Sequence, residues 1–423
     1  MPSGSLEQLE GSAAVARTVA GCRPEVIAAY PISPQTHIVE GLSDLVRTGE
    51  LAPCEYLMVE SEFAAMSACI GASATGARAY TATASQGLLY MAEALYNASG
   101  LGLPIVMTLA NRAIGAPINI WNDHSDSMSQ RDSGWVQLYA ETNQEAADLH
   151  VQAFRLAEEI SLPVMVCMDG FILTHAYEEV DVPRPEQVDE FLPAFAPRQV
   201  LDPDDPVSIG AMVGPEAFTE VKYLMHAKQM QALDLIPRIA AEFAETFDRE
   251  AGGLVRGYRA DDAETIVVAL GSVLGTIEDV VDELRADGVS IGALGVKCFR
   301  PYPLEEVREA LGGAERVVVL EKAFAVGAGG IVGQNVRLAL AGLPVTVYDV
   351  VAGLGGRPIT AKSLAGLLGD VLSDRLDPRP LHFLDLDREL VERELERQHA
   401  GGRPGPHAEN MLRDLGIVAA RSH

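Results

Sequence analysis

One short, uninterrupted apolar stretch, residues 103–110, constrains the fold of this chain more than any other feature. Its length suits a β-strand, and the lack of polar alternation indicates that both faces of that strand are buried. Strands buried on both faces belong to parallel sheets, whose connections are helices that cover the sheet. The sequence therefore predicts an α/β protein built from repeated strand–helix units.

The strand–helix pattern repeats in two blocks separated by a proline-rich stretch. Residues 177–234 lose the pattern and are predicted to form an extended crossing segment. Because 423 residues are too many for one ordinary domain, we predict three parts. They are a doubly wound domain that includes the crossing segment (1–235), a second α/β domain (236–380) and a C-terminal arm (381–423).

Composition excludes several classes of function. The formal net charge is −28, which disfavours nucleic acid and anionic membrane surfaces as partners. We find neither an apolar run of membrane-spanning length nor a signal peptide, so we expect a cytoplasmic protein. The five cysteines are far apart and form no CxxC pair, which predicts that this chain has no iron–sulfur or zinc site of its own.

Arg112 directly follows the apolar stretch and is the first candidate site residue. Ligands of open parallel sheets bind at the edge formed by the carboxyl ends of the strands. The residues after Arg112 are rich in Gly, Pro, Asn and Trp, a composition typical of functional loops. We interpret Arg112 as a candidate anion clamp, with an ordinary surface arginine as the alternative.

Three more polar residues stand at junctions between strands and helices. Ser33 lies next to Pro34 in a turn with prolines on both sides, so its hydroxyl could orient a substrate or simply belong to the turn. Glu62 is in the first turn of a nearly uncharged helix, where it could favour the helix dipole or hydrogen-bond a cofactor nitrogen. Ser85 is a predicted N-cap of the helix that follows it.

The glycine-rich segments of the second half are predicted not to bind nucleotides. Gly327, Gly329, Gly330 and Gly333 miss the GxGxxG spacing, and no acidic ribose-binding residue is evident after them. The run 353–357 is interpreted as a tight turn rather than a phosphate cradle.

Three motifs, in order along the chain, give it a resemblance to a known family. They are YPISPQT at 30–36, ESEFAA at 60–65 with TATASQGL at 81–88, and ANR at 110–112 with NDHSD at 122–126. Together they strongly resemble the alpha subunits of the 2-oxoacid:ferredoxin oxidoreductases, most of all that of pyruvate:ferredoxin oxidoreductase (pyruvate synthase). The resemblance covers about residues 8–372 and leaves the C-terminal arm unexplained.

The resemblance implies a fold and a division of labour between subunits. The first domain would be the doubly wound, pyrimidine-binding domain for thiamine diphosphate, and the second a transketolase C-terminal-like α/β domain. A beta subunit would share the thiamine diphosphate and bring magnesium and a [4Fe–4S] cluster. Gamma- and delta-type subunits would bring further clusters, and no metal would be bound by this chain.

The resemblance also implies an activity and roles for the site residues. The reaction is oxidative decarboxylation of pyruvate, or a related 2-oxoacid, with coenzyme A to acyl-CoA and carbon dioxide, and the electrons pass to ferredoxin. Glu62 matches the family's glutamate that hydrogen-bonds the pyrimidine ring of the cofactor. Arg112 matches its carboxylate-binding arginine. Ser33 stands where the family more often has threonine, and the missing methyl group points to a slightly wider pocket.

Three alternatives stay open at this point. The same chemistry could act on a branched-chain or aromatic 2-oxoacid such as phenylglyoxylate. A non-oxidative thiamine enzyme of the transketolase type would need no clusters. A non-catalytic scaffold subunit would only complete an interface, and a substitution of Glu62 would separate it from a catalytic subunit.

Overall fold

The computed structural model describes residues 6–206, 208–400 and 405–418. In the first half of the chain the elements are β1 (Glu7–Glu10), α1 (Gly11–Gly21), β2 (Val26–Ala29), α2 (Thr36–Thr48), β3 (Glu55–Met58), α3 (Glu62–Ala74), β4 (Ala79–Thr83), α4 (Ser85–Tyr90), α5 (Ala92–Leu101), β5 (Ile105–Asn111), α6 (Ser125–Ser129), β6 (Val136–Tyr139), α7 (Asn143–Ile160), β7 (Val164–Asp169), β8 (Tyr177–Val180), α8 (Pro185–Phe191) and α9 (Phe218–Phe247). In the second half they are β9 (Val255–Tyr258), β10 (Thr265–Ala269), α10 (Val273–Ala286), β11 (Ile291–Val296), β12 (Cys298–Arg300), α11 (Leu304–Leu311), β13 (Arg316–Glu321), α12 (Ile331–Ala339), β14 (Thr346–Val351), α13 (Ala361–Leu372), β15 (His382–Phe383), α14 (Arg388–His399) and α15 (His407–Asp414).

The first sheet has seven strands in the order β12-β6-β7-β5-β4-β2-β3. Every neighbouring pair is parallel except β12 with β6. Every residue of β5, near the centre, is buried, as its apolar sequence predicts. Helices α1, α2, α7 and α9 pack on one face and α3 and α5 on the other. The predicted α/β class is confirmed.

The second sheet has six strands in the order β15-β14-β13-β10-β11-β9. Only β9 runs antiparallel to its neighbour. Helices α10 and α13 cover one face. The apolar side chains of the other face, with those of α11 and α12, join the buried cluster on the α3 side of the first sheet. The two sheets therefore share this buried cluster.

We call each sheet with the helices that cover it a unit. Strand β12 links the two units, because it follows β11 of the second sheet in the chain but pairs with β6 of the first sheet. The residue before it, Lys297, is buried, and its ammonium lies 2.6 Å from Glu145 Oε1 and 2.8 Å from Glu141 Oε1. An isolated buried ammonium would be costly, so these carboxylates hold β12 against the first unit.

The expected crossing segment is partly helical. Residues 177–234, predicted to be extended, contain β8, α8 and the first half of α9. Pro237, a residue that ordinarily marks a helix start, lies inside the 30-residue α9 instead. The predicted boundary at 235/236 falls within α9, whose Ile236, Ile239 and Phe243 pack on the first core.

Helices α14 and α15 of the C-terminal arm contact each other around Glu394, which accepts a hydrogen bond from Asn410 at 3.0 Å. The Gly- and Pro-rich stretch 401–406 is predicted to be a linker between them, and its residues 401–404 lie outside the described residues. Among the helices that the structure does describe, none is both long enough and apolar enough to cross a bilayer.

Candidate active site

The three residues predicted for the site all follow strands of the first sheet. Ser33 comes after β2, Glu62 after β3 and Arg112 directly after β5. These strands run in the same direction, so the residues lie along the carboxyl edge of one sheet, where ligands of such folds bind. The chain thus brings together at one edge residues that are far apart in sequence.

Asp126 ties the ends of β4 and β5 together at this edge. Its carboxylate is fully buried and accepts hydrogen bonds from Ser85 N and Arg112 N, both at 2.9 Å, from Asn111 Nδ2 at 2.8 Å and from Ser127 N at 2.8 Å. Burial raises the pKa of Asp126 to about 7, although these donors favour the charged form. The sequence placed this aspartate in a recognised motif without assigning it a role.

Glu62 is the first residue of α3 and is 8% exposed. Its carboxylate has no hydrogen-bond or ion-pair partner among the residues that the structure describes. A Cβ atom on Gly87 would lie 2.7 Å from Glu62 Oε1 and 2.5 Å from Thr83 Oγ1. The Thr83 hydroxyl is buried and, within the described part of the chain, also lacks a partner. Gly87 therefore opens the space into which these two polar groups point.

Arg112 is buried, with 6% of its surface exposed, and within the described part of the chain its guanidinium donates only to backbone carbonyls. The acceptors are Ser33 O at 2.8 Å and Asn119 O at 3.1 Å. Burial lowers the pKa of Arg112 from its ordinary value. No carboxylate forms an ion pair with it in the described ranges, so its charge is available for an anionic ligand.

Gln35, which sequence reasoning missed, fixes the turn that carries Ser33. The side chain of Gln35 is fully buried, and its Nε2 donates to Ala82 O on β4 at 2.6 Å. The Ser33 side chain is exposed, while its carbonyl is held by Arg112. A hydrogen bond between neighbouring strand ends gives no signal in the sequence, because the partners are distant along the chain.

The prediction that Ser85 is an N-cap is wrong. The N-cap of α4 is Ala84, and Ser85 is the first helical residue, with a φ of 49°. Its hydroxyl donates to Ala113 O at 2.5 Å. The Ser85 side chain therefore links the segments that follow β4 and β5 and does not cap its own helix. Its left-handed φ is backbone strain of the kind found at functional sites.

The loop after Arg112 docks on the second unit. Asn119 Nδ2 donates to Gly355 O at 3.1 Å, and Asp123 Oδ2 accepts from Gly355 N at 3.0 Å. A side chain on Gly356, which has a φ of 80°, would collide with Trp121. The predicted tight turn at 353–357 is confirmed by its 3₁₀ hydrogen bonds, and here it serves as a platform for the loop.

A buried polar network lies behind the loop, where the two units meet. Asp169, the last residue of β7, accepts from Lys322 Nζ at 3.0 Å, from Ser272 N at 3.1 Å and contacts His124 Nε2 at 2.7 Å. Burial alone would raise the pKa of Asp169, but Lys322 and His124 hold it well below its usual range. The polar groups of Asp169, Lys322 and His124 are thus paired with one another, and they stabilise the contact between the two units behind the candidate site.

The glycine-rich segment before α12 is filled by the chain itself. Glu321 accepts hydrogen bonds from Ile331 N at 2.7 Å, Val332 N at 2.8 Å and Gly333 N at 3.2 Å. A helix N-terminus with free N–H groups can bind phosphate, but here a carboxylate already takes those donors. In this geometry those three N–H groups are not available to a phosphate.

Two family descriptions match this chain. The first, "Pyruvate flavodoxin/ferredoxin oxidoreductase, thiamine diP-bdg", matches residues 17–240. The second, "Pyruvate:ferredoxin oxidoreductase core domain II", matches residues 263–364. Between them they cover all seven strands of the first sheet and four of the six strands of the second, β10, β11, β13 and β14.

Characterised relatives are similar over most of the chain. Pyruvate synthase subunit PorA from Methanosarcina barkeri is 49% identical over 392 residues, which is 90% of this chain and 97% of that protein. PorA from Methanocaldococcus jannaschii is 48% identical over 368 residues, 86% of this chain and 94% of that protein. Ketoisovalerate oxidoreductase subunit VorA from Pyrococcus horikoshii is 40% identical over 366 residues, which is 86% of this chain and 93% of that protein.

A solved structure shares the fold. It is the 2-oxoglutarate:ferredoxin oxidoreductase from Magnetococcus marinus with 2-oxoglutarate, coenzyme A and succinyl-CoA bound, with a TM-score of 0.66 and 20% sequence identity. The likeness covers 87% of this chain and 65% of that chain, so this protein spans about two thirds of its length. At this identity the comparison shows the fold alone.

Proposed function

This chain belongs to the pyruvate:ferredoxin oxidoreductase family, and we propose that it is the alpha subunit of an enzyme that oxidatively decarboxylates pyruvate. The products would be acetyl-CoA, formed with coenzyme A, and carbon dioxide, with the electrons passing to ferredoxin. The observation that carries the proposal is the 49% identity to a PorA subunit over 97% of that protein.

Thiamine diphosphate fits the carboxyl edge of the first sheet. Glu62 and Thr83 offer polar atoms that lack partners in the described part of the chain, and Gly87 leaves the space between them open. When bound, the cofactor supplies the nucleophilic carbon that attacks the 2-oxo group and holds the electron pair as carbon dioxide leaves. Glu62 would hold a proton at the pyrimidine ring nitrogen, where a shielded carboxyl can exchange it.

Arg112 would bind the carboxylate of the 2-oxoacid. A guanidinium matches a carboxylate with two parallel hydrogen bonds, and among the described residues its hydrogen-bond acceptors are neutral carbonyls and not a carboxylate. Because Arg112 also holds the Ser33 carbonyl, substrate binding and the Ser33 turn are mechanically connected. The Ser33 hydroxyl would line the same pocket and orient the substrate.

The chain would act only within a multi-subunit complex. It lacks a GDG…N diphosphate signature and cysteines with cluster spacing, so we propose that a beta subunit provides the magnesium and diphosphate site and a [4Fe–4S] cluster. Gamma- and delta-type subunits would carry further clusters towards ferredoxin. We propose the cytoplasm as the compartment.

The intact complex, assembled with its partner subunits, tests this function with a panel of 2-oxoacids. We expect coenzyme A-dependent reduction of ferredoxin with pyruvate and a broad visible absorbance from the clusters, whereas the alpha chain alone should be colourless and inactive. Iron bound stoichiometrically by the single chain would contradict the division of labour. Turnover without clusters would favour a non-oxidative thiamine enzyme.

A branched-chain 2-oxoacid is the second candidate substrate. The VorA subunit, whose name specifies ketoisovalerate, is 40% identical to this chain, and Ser33 replaces the bulkier threonine that is commoner in the family. The higher identity to PorA favours pyruvate. The ratio of kcat/KM for pyruvate to that for 2-ketoisovalerate decides between them.

A further inference from the structure

We propose that Glu10, His37 and His175 form a binding site for a zinc-type divalent cation on the first unit, apart from the candidate active site. One ligand atom from each of these residues lies within 4.8 Å of the ligand atoms of the other two. Two imidazoles and one carboxylate are a ligand set that zinc prefers. The proposal does not depend on the function proposed above.

The three ligands come from separate elements that converge. Glu10 ends β1, His37 is in the first turn of α2, and His175 lies between β7 and β8. His37 Nδ1 is 2.6 Å from Glu10 Oε1, and the rings of His37 and His175 are 4.7 Å apart. Tetrahedral zinc holds its ligand atoms about 3.4 Å from one another, so rotation of the partly exposed Glu10 and His37 side chains would close the site.

Backbone hydrogen bonds on both sides of His175 fix it beside Glu10. Gly11 N donates to Ala176 O at 3.0 Å, and Ser12 N donates to Thr174 O at 2.9 Å. These bonds join the residues next to Glu10 to the residues next to His175. Two of the three ligands are therefore held together by the fold, which lowers the cost of binding an ion.

The orientation of His175 suits coordination through Nε2. Its Nδ1 is 2.7 Å from Thr174 Oγ1. That buried hydroxyl accepts a hydrogen bond from Phe171 N at 2.8 Å, and its second lone pair can accept one from a protonated Nδ1. A ring nitrogen held by a protein acceptor leaves the other nitrogen free for a metal.

Cation binding would brace the edge of the candidate active site. His37 is four positions after Ser33, in the helix that follows the Ser33 turn. The ring of His175 also packs against that of Phe171 in a tilted arrangement, with centroids 4.7 Å apart, and Phe171 packs in the same way against Trp121 of the docked loop, with centroids 4.8 Å apart. The cation would thus connect the Ser33 turn with the loop that follows Arg112. Sequence reasoning predicted no metal site here because it searched for closely spaced cysteines.

Zinc binding by the full-length chain tests the proposal. After dialysis, we expect metal analysis by mass spectrometry to find about one zinc ion per purified chain. When Co²⁺ replaces zinc, the chain should show the visible absorption of a cobalt site with few ligands. His37→Ala and His175→Ala should each weaken binding by at least about tenfold. His226→Ala, which removes an exposed histidine on α9, is the matched control and should bind as the wild type does.

Measuring the Tm of each variant with and without zinc separates a loss of zinc binding from a folding defect. Zinc should raise the Tm of the wild type and of His226→Ala but not that of His37→Ala, because an ion stabilises only a fold that binds it. His37 is exposed, so its replacement should leave the zinc-free Tm unchanged. Equal zinc binding by all variants, or no binding by the wild type, would overturn the assignment.

Discussion

Glu62 and Glu321 stand at the carboxyl edges of the two sheets, are both buried, and have opposite surroundings. Glu321 ends β13 and accepts three hydrogen bonds from the backbone of α12. Glu62 begins α3 and has no side-chain partner in the residues described. One carboxylate completes the fold, and the other has no partner among the described residues, as our proposal of a cofactor at Glu62 requires.

The cations at the two edges differ in the same way. Lys322 of the second unit is 3.0 Å from Asp169 Oδ2, so its charge is neutralised within the chain. The guanidinium of Arg112 in the first unit donates, among the residues that the structure describes, only to the carbonyls of Ser33 and Asn119. A guanidinium bound to neutral acceptors in a partly desolvated place attracts an anion more strongly than an ion-paired ammonium does.

Two parallel sheets in one chain therefore present the same kind of edge, but only the first edge has unpaired charges on the described residues that we compared. The shared architecture does not decide where chemistry occurs. What decides it is whether the polar groups at the strand ends are already satisfied by the protein.

Glu62→Gln should have the largest effect. Glutamine can still hydrogen-bond a ring nitrogen but cannot exchange a proton with it, so turnover of the assembled complex should fall by about a hundred- to ten-thousand-fold. The measurement is kcat with saturating 2-oxoacid, coenzyme A and acceptor, together with gel filtration to show that the complex still assembles.

Two other glutamates serve as controls for Glu62. Glu60→Gln removes an exposed carboxylate from the same motif, and Glu321→Gln removes the carboxylate of the second edge; both variants should keep most of the turnover. If the Glu62→Gln variant kept more than about a tenth of the wild-type rate, Glu62 would not be the proton-exchanging group. The contrast between an unpaired Glu62 and a paired Glu321 would then have no functional consequence.

Arg112→Met should have the next largest effect and should act on substrate affinity. A charge-assisted hydrogen bond to a carboxylate contributes about 1.5 to 3 kcal/mol, which is about ten- to more than a hundred-fold in affinity. The KM for the 2-oxoacid should rise by that factor, with little change for coenzyme A. Lysine should restore binding only in part, because it cannot make the paired contact.

The exposed Arg47, which lies on α2 and pairs with Asp44, gives a matched control through Arg47→Met. A lower kcat with every KM unchanged would show that Arg112 acts on the transition state instead. No change in either constant would move the carboxylate-binding role to a different cation.

Much of the fold was readable from the sequence because its strands are marked by local composition. The apolar run that became β5 and the prolines that end β2 each carry their own signal. Strand β12 does not, because three residues cannot show a pattern, and its partner β6 lies in another part of the chain. The first half of α9 was missed because its exposed apolar side chains blur the amphipathic period.

The candidate site was readable only where a residue type stands in a recognised motif. Ser33, Glu62 and Arg112 belong to such motifs, and their predicted roles stay predictions. The contacts that make the site, from Asp126 to the ends of β4 and β5 and from Gln35 to Ala82, join distant parts of the chain. Burial of a charged residue such as Asp126 follows from tertiary packing, which local sequence does not encode.

Glu321→Gln should alter stability rather than turnover, and its effect should depend on pH. Burial raises the pKa of Glu321 from 4.5 to about 7. Between these values the folded chain binds more protons than the unfolded chain, so the free energy of unfolding falls as the pH rises, by at most about 1.4 kcal/mol per pH unit. The variant should lose this contribution and show a flatter dependence in urea unfolding between pH 5 and pH 7. Parallel curves for the two proteins would show that Glu321 does not titrate in this range.

Ser33→Thr should have the smallest effect and should change substrate choice at the first edge. The added methyl group restricts the hydroxyl rotamer and narrows the pocket. Within a hydrophobic pocket, one methyl group changes the preference between two substrates by about tenfold or more. Because Ser33 is exposed, we expect a smaller change: the ratio of kcat/KM for pyruvate to that for 2-ketoisovalerate should rise by about tenfold or less. Assembly and the KM for coenzyme A should not change, since the Arg112 bond uses the Ser33 carbonyl and survives the substitution. A shift towards the larger substrate would contradict a pocket whose width is set by residue 33. The preference would then have to come from the docked loop after Arg112.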